Sequence, residues 1–209
     1  MTWKHKGLAA GAVLAGFLTL SSCAALTDMA SALASLKKLQ FKLGGVHDFK
    51  LLGLDLGGKA RIGDFSAADG LRALQAYRNR TLPVEFVVDV LAVNPNDGTG
   101  GSRNSTSTLT GLECRLLIDD KPTVTGNIDR PIEIPGTGKE SVIPLRLSLD
   151  LLEFFGDRRY EDLIGLALAI GGRNGTPARI ALDAQPTVST PLGPITYPSR
   201  ITIVSAEFR

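Results

Sequence analysis

The chain has 209 residues, 44% of them hydrophobic and 21% charged, with 23 basic and 21 acidic side chains for a formal net charge of +2. That length is enough for one well-buried core, and the near-neutral balance gives no positive field to attract nucleic acid. Two histidines and two cysteines in the whole chain leave little material for a catalytic centre.

Residues 1–22 read as an export signal. Lys4 and Lys6 make a positive start, Leu8 to Leu20 form an apolar run of 13 residues, and Ser21 and Ser22 lead into Cys23. The run is too short to span a bilayer as a mature helix and has the proportions of a secretory signal. Its ending, Leu20-Ser21-Ser22-Cys23, resembles a bacterial lipobox, which implies cleavage before Cys23 and acylation of its thiol. The other reading is an ordinary signal followed by a chance cysteine. Cleavage at this point removes Trp3, Lys4, His5 and Lys6, and leaves 187 residues with 21 basic and 21 acidic side chains, a formal charge of zero. Acyl chains on Cys23 would anchor the protein without a spanning helix. Ala24 stands where lipoproteins retained in the inner membrane commonly carry aspartate, so the same resemblance implies the outer membrane of a bacterial envelope.

Residues 23–38 read as a lipidated tether. Leu26, Met29, Ala30, Leu33 and Leu36 fall at helical spacing, with Thr27 or Asp28 placed to cap. From residue 39 the period becomes two, and 39–209 is expected to form one domain. Leu39, Phe41 and Leu43 share a strand face, as do Leu52, Leu54 and Leu56, with His47 and Asp48 at a turn between the two runs. A short helix is predicted after Ser66 as N-cap, with Asp69 three residues on and Leu71 and Leu74 facing inward.

VEFVVDVLAV is the strongest strand signal, with Val84, Phe86, Val88, Val90 and Ala92 on one wholly apolar face. The same alternation puts Leu112, Cys114, Leu116 and Ile118 together, then Ile143, Leu145, Leu147 and Leu149. It recurs at Ile180, Leu182 and Ala184, and at Thr202, Val204 and Phe208. Turn signals separate these runs, among them NPNDGTGG, IDDKP, IPGTGK, GGRNGTP and TPLGP. Tyr160, Leu163, Ile164, Ala167 and Leu168 instead recur at helical spacing and predict an inserted helix or two over 150–170. Short alternating strands with frequent turns predict a mainly β chain, an antiparallel β-sandwich with one or two inserted helices.

Several matched elements in order resemble the late embryogenesis abundant type 2 proteins, the family with the water-stress and hypersensitive-response (WHy) domain. They are a hydrophobic strand ending Asn94-Pro95-Asn96, the Leu112 to Ile118 strand with its Asp119-Asp120 turn, Gly126, and Ile134-Pro135. The likeness is good over 82–149 and loose beyond, and it implies an immunoglobulin- or fibronectin III-like sandwich with at least one helix. Pro95 fixes its own φ and pushes Asn94 into an extended conformation, so the strand stops there, and asparagine side chains can satisfy the freed backbone. Two departures stand out, a longer turn after the motif and a larger helical insertion.

The chemistry-bearing residues are sparse. His47 is the one mature histidine, and with Asp48 adjacent on a strand the two side chains are expected on opposite faces. Cys114 lies on an apolar face and reads as a buried, inert thiol. Asp119-Asp120 and Asp157 with Glu161-Asp162 read as solvated charges rather than calcium ligands, since neither has alternating oxygen ligands in a loop. No cofactor or metal is expected. The sequence reading is a non-enzymatic, membrane-anchored envelope lipoprotein, with stress protection against desiccation implied by the resemblance. The alternatives are an interaction module docking on an envelope protein partner or transport complex, and a hydrolase built on His47.

Overall fold

The computed structural model describes residues 39–56, 59, 61–97, 105–171, 178–190, 193–205 and 208. The signal, the tether and Cys23 lie outside the described residues, as do most of the long turn after Asn96 and of the GGRNGTP turn. The described chain is an antiparallel β-sandwich with helices inserted between strands, the class the alternation predicted.

The first sheet has the order β2-β1-β3-β7, from Leu54–Asp55, Gln40–Leu51, Pro83–Val93 and Glu140–Asp150. The second runs β10-β8-β4-β5, from Ile201–Ile203, Ile180–Thr190, Ser107–Ile118 and Lys121–Gly126. Two short strands extend its edges: β6 (Ile132–Ile134) pairs with the start of β4, and β9 (Gly193–Thr196) with the end of β8. Three main strands therefore face four, the division of a fibronectin III-type sandwich.

The alternation fixed the inward faces of the long strands. Val84, Phe86, Val88, Val90 and Ala92 are all buried, as are Leu112, Cys114, Leu116 and Ile118 opposite them and Ile143, Leu145, Leu147 and Leu149 beside them. Phe49 and Phe86 stack with centroids 5.4 Å apart, joining β1 to β3 inside the core. Burial of each such side chain contributes roughly 1.5–3 kcal/mol.

Among the described residues, three helices and a single 3-10 turn (Ile62–Asp64) fill the connections. Helix α1 (Ala67–Arg78) starts as expected, with Ser66 Oγ accepting from the Asp69 amide at 3.1 Å, worth about 1 kcal/mol. Its buried face is different: Ala73 is buried, Ala76 and Tyr77 pack against the core, and Leu71 is 57% exposed. Leu71 lies about 200° around the helix from Ala73. The small alanines allow close approach, and Tyr77 meets Tyr160 edge to face at 5.5 Å.

The insertion is two helices, α2 (Leu151–Phe155) and α3 (Tyr160–Ile170). Asp150 organises the entry: its Oδ1 accepts from the Leu152 amide at 2.9 Å and from the Leu82 amide at 2.8 Å, tying α2 to the start of β3. From Leu163 to Ile170 every residue except half-buried Gly165 is buried. A helix apolar on all sides has to sit within the core. No helix among the described residues is long and apolar enough to cross a membrane.

Two strand readings need correction. β1 and β2 turn at Leu52-Gly53, both at positive φ (53° and 74°), as a two-residue type I′ hairpin requires. Leu51 and Leu56 are therefore the buried pair, with Leu52 and Leu54 half-buried. In β10 the parity is reversed, with Ile203 buried and Thr202 exposed. The stretch ITIV has apolar side chains at both parities, so alternation alone does not choose a face.

Candidate functional site

The Asn94-Pro95-Asn96 corner is a densely bonded polar feature of the sandwich. It lies where the chain leaves β3 and crosses to the second sheet. Asn94 is 0% exposed and Asn96 3%, and they are the two buried polar side chains among the described residues. Asn94 Nδ2 donates to the carbonyl oxygens of Ser105 at 2.8 Å and Ile134 at 3.0 Å, with Ser107 Oγ at 3.3 Å. Its Oδ1 accepts from Asn96 Nδ2 at 2.8 Å and from the Asn96 amide at 3.2 Å. Both donors and the acceptor of one side-chain amide are thus in use. One side chain from the first sheet bonds the backbone at the start of β4 and the end of β6 in the second.

The surrounding backbone completes the corner. Ser105 N donates to Asn96 O at 3.2 Å and Gly138 N to Asn94 O at 3.1 Å. Pro135 is exposed, with its carbonyl accepting from Thr137 N at 2.8 Å. Beside it, Gly136 is buried and leaves room for no side chain: a Cβ there would lie 2.3 Å from Asn96 O and 2.5 Å from Ser105 O.

Gly126 has a similar role at the other sheet edge. A Cβ on it would come within 2.5 Å of Leu147 Cδ2, so the missing side chain lets β5 close over β7. Gly126→Ala is expected to cost about 1–3 kcal/mol by overpacking. Pairing it with Leu147→Ala should recover part of that loss in a urea-denaturation cycle, and strict additivity would contradict the contact.

Cys114 Sγ points at Gly126 O at 3.4 Å, and burial pushes its thiol pKa up to about 11. A thiolate is the reactive form. The folded chain should therefore leave Cys114 unmodified by a thiol reagent near neutral pH and expose that thiol to the reagent on denaturation. Rapid labelling before unfolding would contradict its burial.

His47 differs from its sequence reading. It lies within β1, opposite Val87 of β3, between two register shifts that fall at 43/46 and 47/50. Asp48 adopts φ 52°, and the irregular backbone swings its side chain round to that of His47. His47 Nδ1 lies 3.3 Å from Asp48 Oδ2 and Nε2 lies 3.3 Å from Asp89 Oδ1. Neighbours expected on opposite faces are in contact because a bulge breaks the period of two. The hydrogen bond to Asp89 raises the imidazole pKa above its ordinary value, against the partial burial that lowers it, and Asp48 adds to the rise.

Three of the carboxylates singled out in the sequence, Asp119, Asp120 and Asp162, have basic partners. Asp120 pairs with Arg179 at 2.7 Å, Asp119 with Arg158 at 3.9 Å, and Asp162 with Arg159 at 3.2 Å. Asp119 and Asp120 stand at φ 50° and 65° in the two-residue turn between β4 and β5. Lys121, next in the chain, bonds the Phe154 carbonyl, and both Lys121 and Arg158 lie over the Phe155 ring at about 5 Å. This turn is pinned to the helical insertion.

Three features escaped the sequence reading. Arg200 joins β4, β8 and the approach to β10, with Nε 2.9 Å from Asp183 and Nη1 3.2 Å from Glu113. Asn127 Oδ1 accepts from the Leu112 amide at 2.7 Å, serving β4 where β5 has ended and β6 has not begun. An open cleft of ≈ 190 Å³ lies where Leu43, Gly44 and Val46 of β1 face Ala169 and Ile170 of α3 and Ala178 and Ile180 at the entry to β8. No marker in the sequence distinguishes these long-range meetings.

No protein-family model matches the chain, and no curated protein matches it. Among solved structures, the crystal structure of a protein from Archaeoglobus fulgidus is similar over 80% of this chain and 94% of that one, at 10% identity and a TM-score of 0.34. A likeness at that score carries no argument about function, and what can be said of this chain rests on its own residues.

Proposed function

We propose that the chain is a lipid-anchored bacterial envelope protein of the WHy type, acting without catalysis to protect envelope components during desiccation or related stress. The observation that carries the reading is the buried Asn94-Pro95-Asn96 corner, which builds a cross-sheet lock from the residues on which the family resemblance rests. A non-catalytic role is supported by the state of the two reactive side chains. Cys114 is buried, and both ring nitrogens of His47 are engaged by aspartates. Anchoring rests on the Leu20-Ser21-Ser22-Cys23 signal, and Cys23→Ser should shift the protein from the membrane to the soluble fraction.

The test of protection is to dry or freeze a labile enzyme with residues 24–209, using an equal mass of an inert protein as control. Enzyme recovery well above the control supports the reading, and equal recovery removes direct protection. A second reading, docking on an envelope protein, is favoured by Val142. It is 54% exposed on the outer face of the first sheet, in the ladder row of half-buried Leu91 and Lys42. A stoichiometric partner recovered by mild crosslinking, and lost with Val142→Asp, would favour docking.

A further inference from the structure

We propose that His47 is a pH-dependent clasp across the interrupted stretch of β1, joining Asp48 to Asp89 when protonated and releasing one of them when neutral. Pairing between β1 and β3 is broken on both sides of Val46 and His47, which leaves those two residues as a short paired island opposite Val88 and Val87. Gly44 and Gly45 precede the island and Asp48, at positive φ, follows it. With the backbone ladder interrupted, the imidazole is the side-chain link from the island to β3.

Donor counting makes that link sensitive to protonation. Each ring nitrogen faces a carboxylate oxygen at 3.3 Å, and a carboxylate only accepts. An imidazolium has two N–H groups and satisfies both aspartates. A neutral ring has one, so its other nitrogen presents a lone pair to a carboxylate and that contact is lost. The same opposed geometry rules out one metal ion shared by the two aspartates and the ring, since the carboxylates sit at different nitrogens.

The other charged groups nearby are set one step away. Lys50 of β1 pairs with Glu85 of β3 in the next ladder row, and Arg146 of β7 lies opposite Val87 on the far side from His47. Asp48 and Asp89 are the groups in direct reach. Because protonation is favoured in the folded arrangement, the clasp is complete below the ordinary histidine pKa of about 6.5 and is lost as pH rises through the higher folded value.

Release loosens a particular place. Leu43, Gly44 and Val46 form the β1 wall of the cleft against the end of α3, so the protonation state of His47 controls how firmly that wall is held. Because His47 is half-exposed, with 48% of its side-chain surface accessible, the change in local opening is expected to be about two- to fivefold.

The test is hydrogen-exchange mass spectrometry on the full chain in detergent at about pH 5.5 and about pH 8.5, bracketing the histidine transition, with rates corrected for intrinsic chemistry. Peptides covering 43–51 should lose protection at the higher pH while peptides covering 84–92 keep theirs. His47→Gln should abolish the pH dependence. In spectra of histidine labelled at Cε1, the wild-type His47 signal should titrate above the ordinary value, and Asp89→Asn should bring it down. Equal protection of 43–51 at both pH values, or a pH effect that persists in His47→Gln, would overturn the clasp. So would titration of His47 at or below the ordinary value.

Discussion

Replacing Asn94 by alanine is expected to lower the unfolding free energy by about 3–5 kcal/mol, among the largest effects of any single polar substitution in this chain. Truncation removes the donors to Ser105 O and Ile134 O and the acceptor for Asn96 Nδ2 and the Asn96 amide. Asn94 is 0% exposed, so water cannot replace what is lost without opening the corner. Each buried group left without a partner costs roughly 1–3 kcal/mol, and partial relaxation keeps the total below the sum. Urea denaturation should show a lower midpoint with little change in slope. An unchanged midpoint would mean that the corner does not join the sheets energetically.

Asn94→Asp separates the donors from the shape. An aspartate at 94 retains an acceptor for Asn96 but turns a second acceptor towards the carbonyls of Ser105 and Ile134. Burial among acceptors raises the folded pKa of such a carboxyl above its unfolded value of about 3.9. The sign follows from linkage: the ionised form is penalised in the folded state, so the deficit relative to the natural protein is greatest above the folded pKa. It shrinks as pH falls and the carboxyl regains a proton to donate. A deficit that grew towards low pH would contradict the donor argument.

The same corner shows how far the sequence could be read. Asn-Pro-Asn announces a strand end from local physics alone, because proline restricts its own backbone and that of the residue before it. The carbonyls that Asn94 bonds are 11 and 40 positions away, and local patterning holds no record of them. Alternation identified the core faces of β3, β4 and β7 because each has apolar residues at one parity that the other lacks or carries more weakly. It failed at β10, where both parities are apolar, and at α1, where alanines and a tyrosine take the buried face and a leucine faces solvent. At His47 it failed for a different reason. Bulges insert residues into one strand only, so the period of two is interrupted by a partner that the sequence does not name. Arg200 belongs with these cases, since its bond to Glu113 spans 87 positions and exists only once β8 lies between β4 and β10.

The second large effect is expected at Gly136, where alanine should cost about 3 kcal/mol although it adds one methyl group. The added Cβ would sit 2.3 Å from Asn96 O, 2.5 Å from Ser105 O and 3.0 Å from Ser105 N. All three are backbone atoms, and all three are bonded within the corner: Ser105 N donates to Asn96 O, and Ser105 O accepts from Asn94 Nδ2. Relief cannot come from rotating a side chain, so the backbone joining β3, β4 and β6 has to separate. Gly138, two residues on, supplies the comparison. It stands at φ 66° with open space around its Cβ position, so Gly138→Ala carries only the left-handed backbone penalty, about 1–2 kcal/mol. Thermal or urea unfolding should therefore rank Gly136→Ala below Gly138→Ala in stability. Combining Gly136→Ala with Asn94→Ala should cost less than the two losses added together, because both substitutions break the same hydrogen bonds. Full additivity would show that the glycine and the asparagine act on separate parts of the fold, and the corner would then not be a single lock between the sheets.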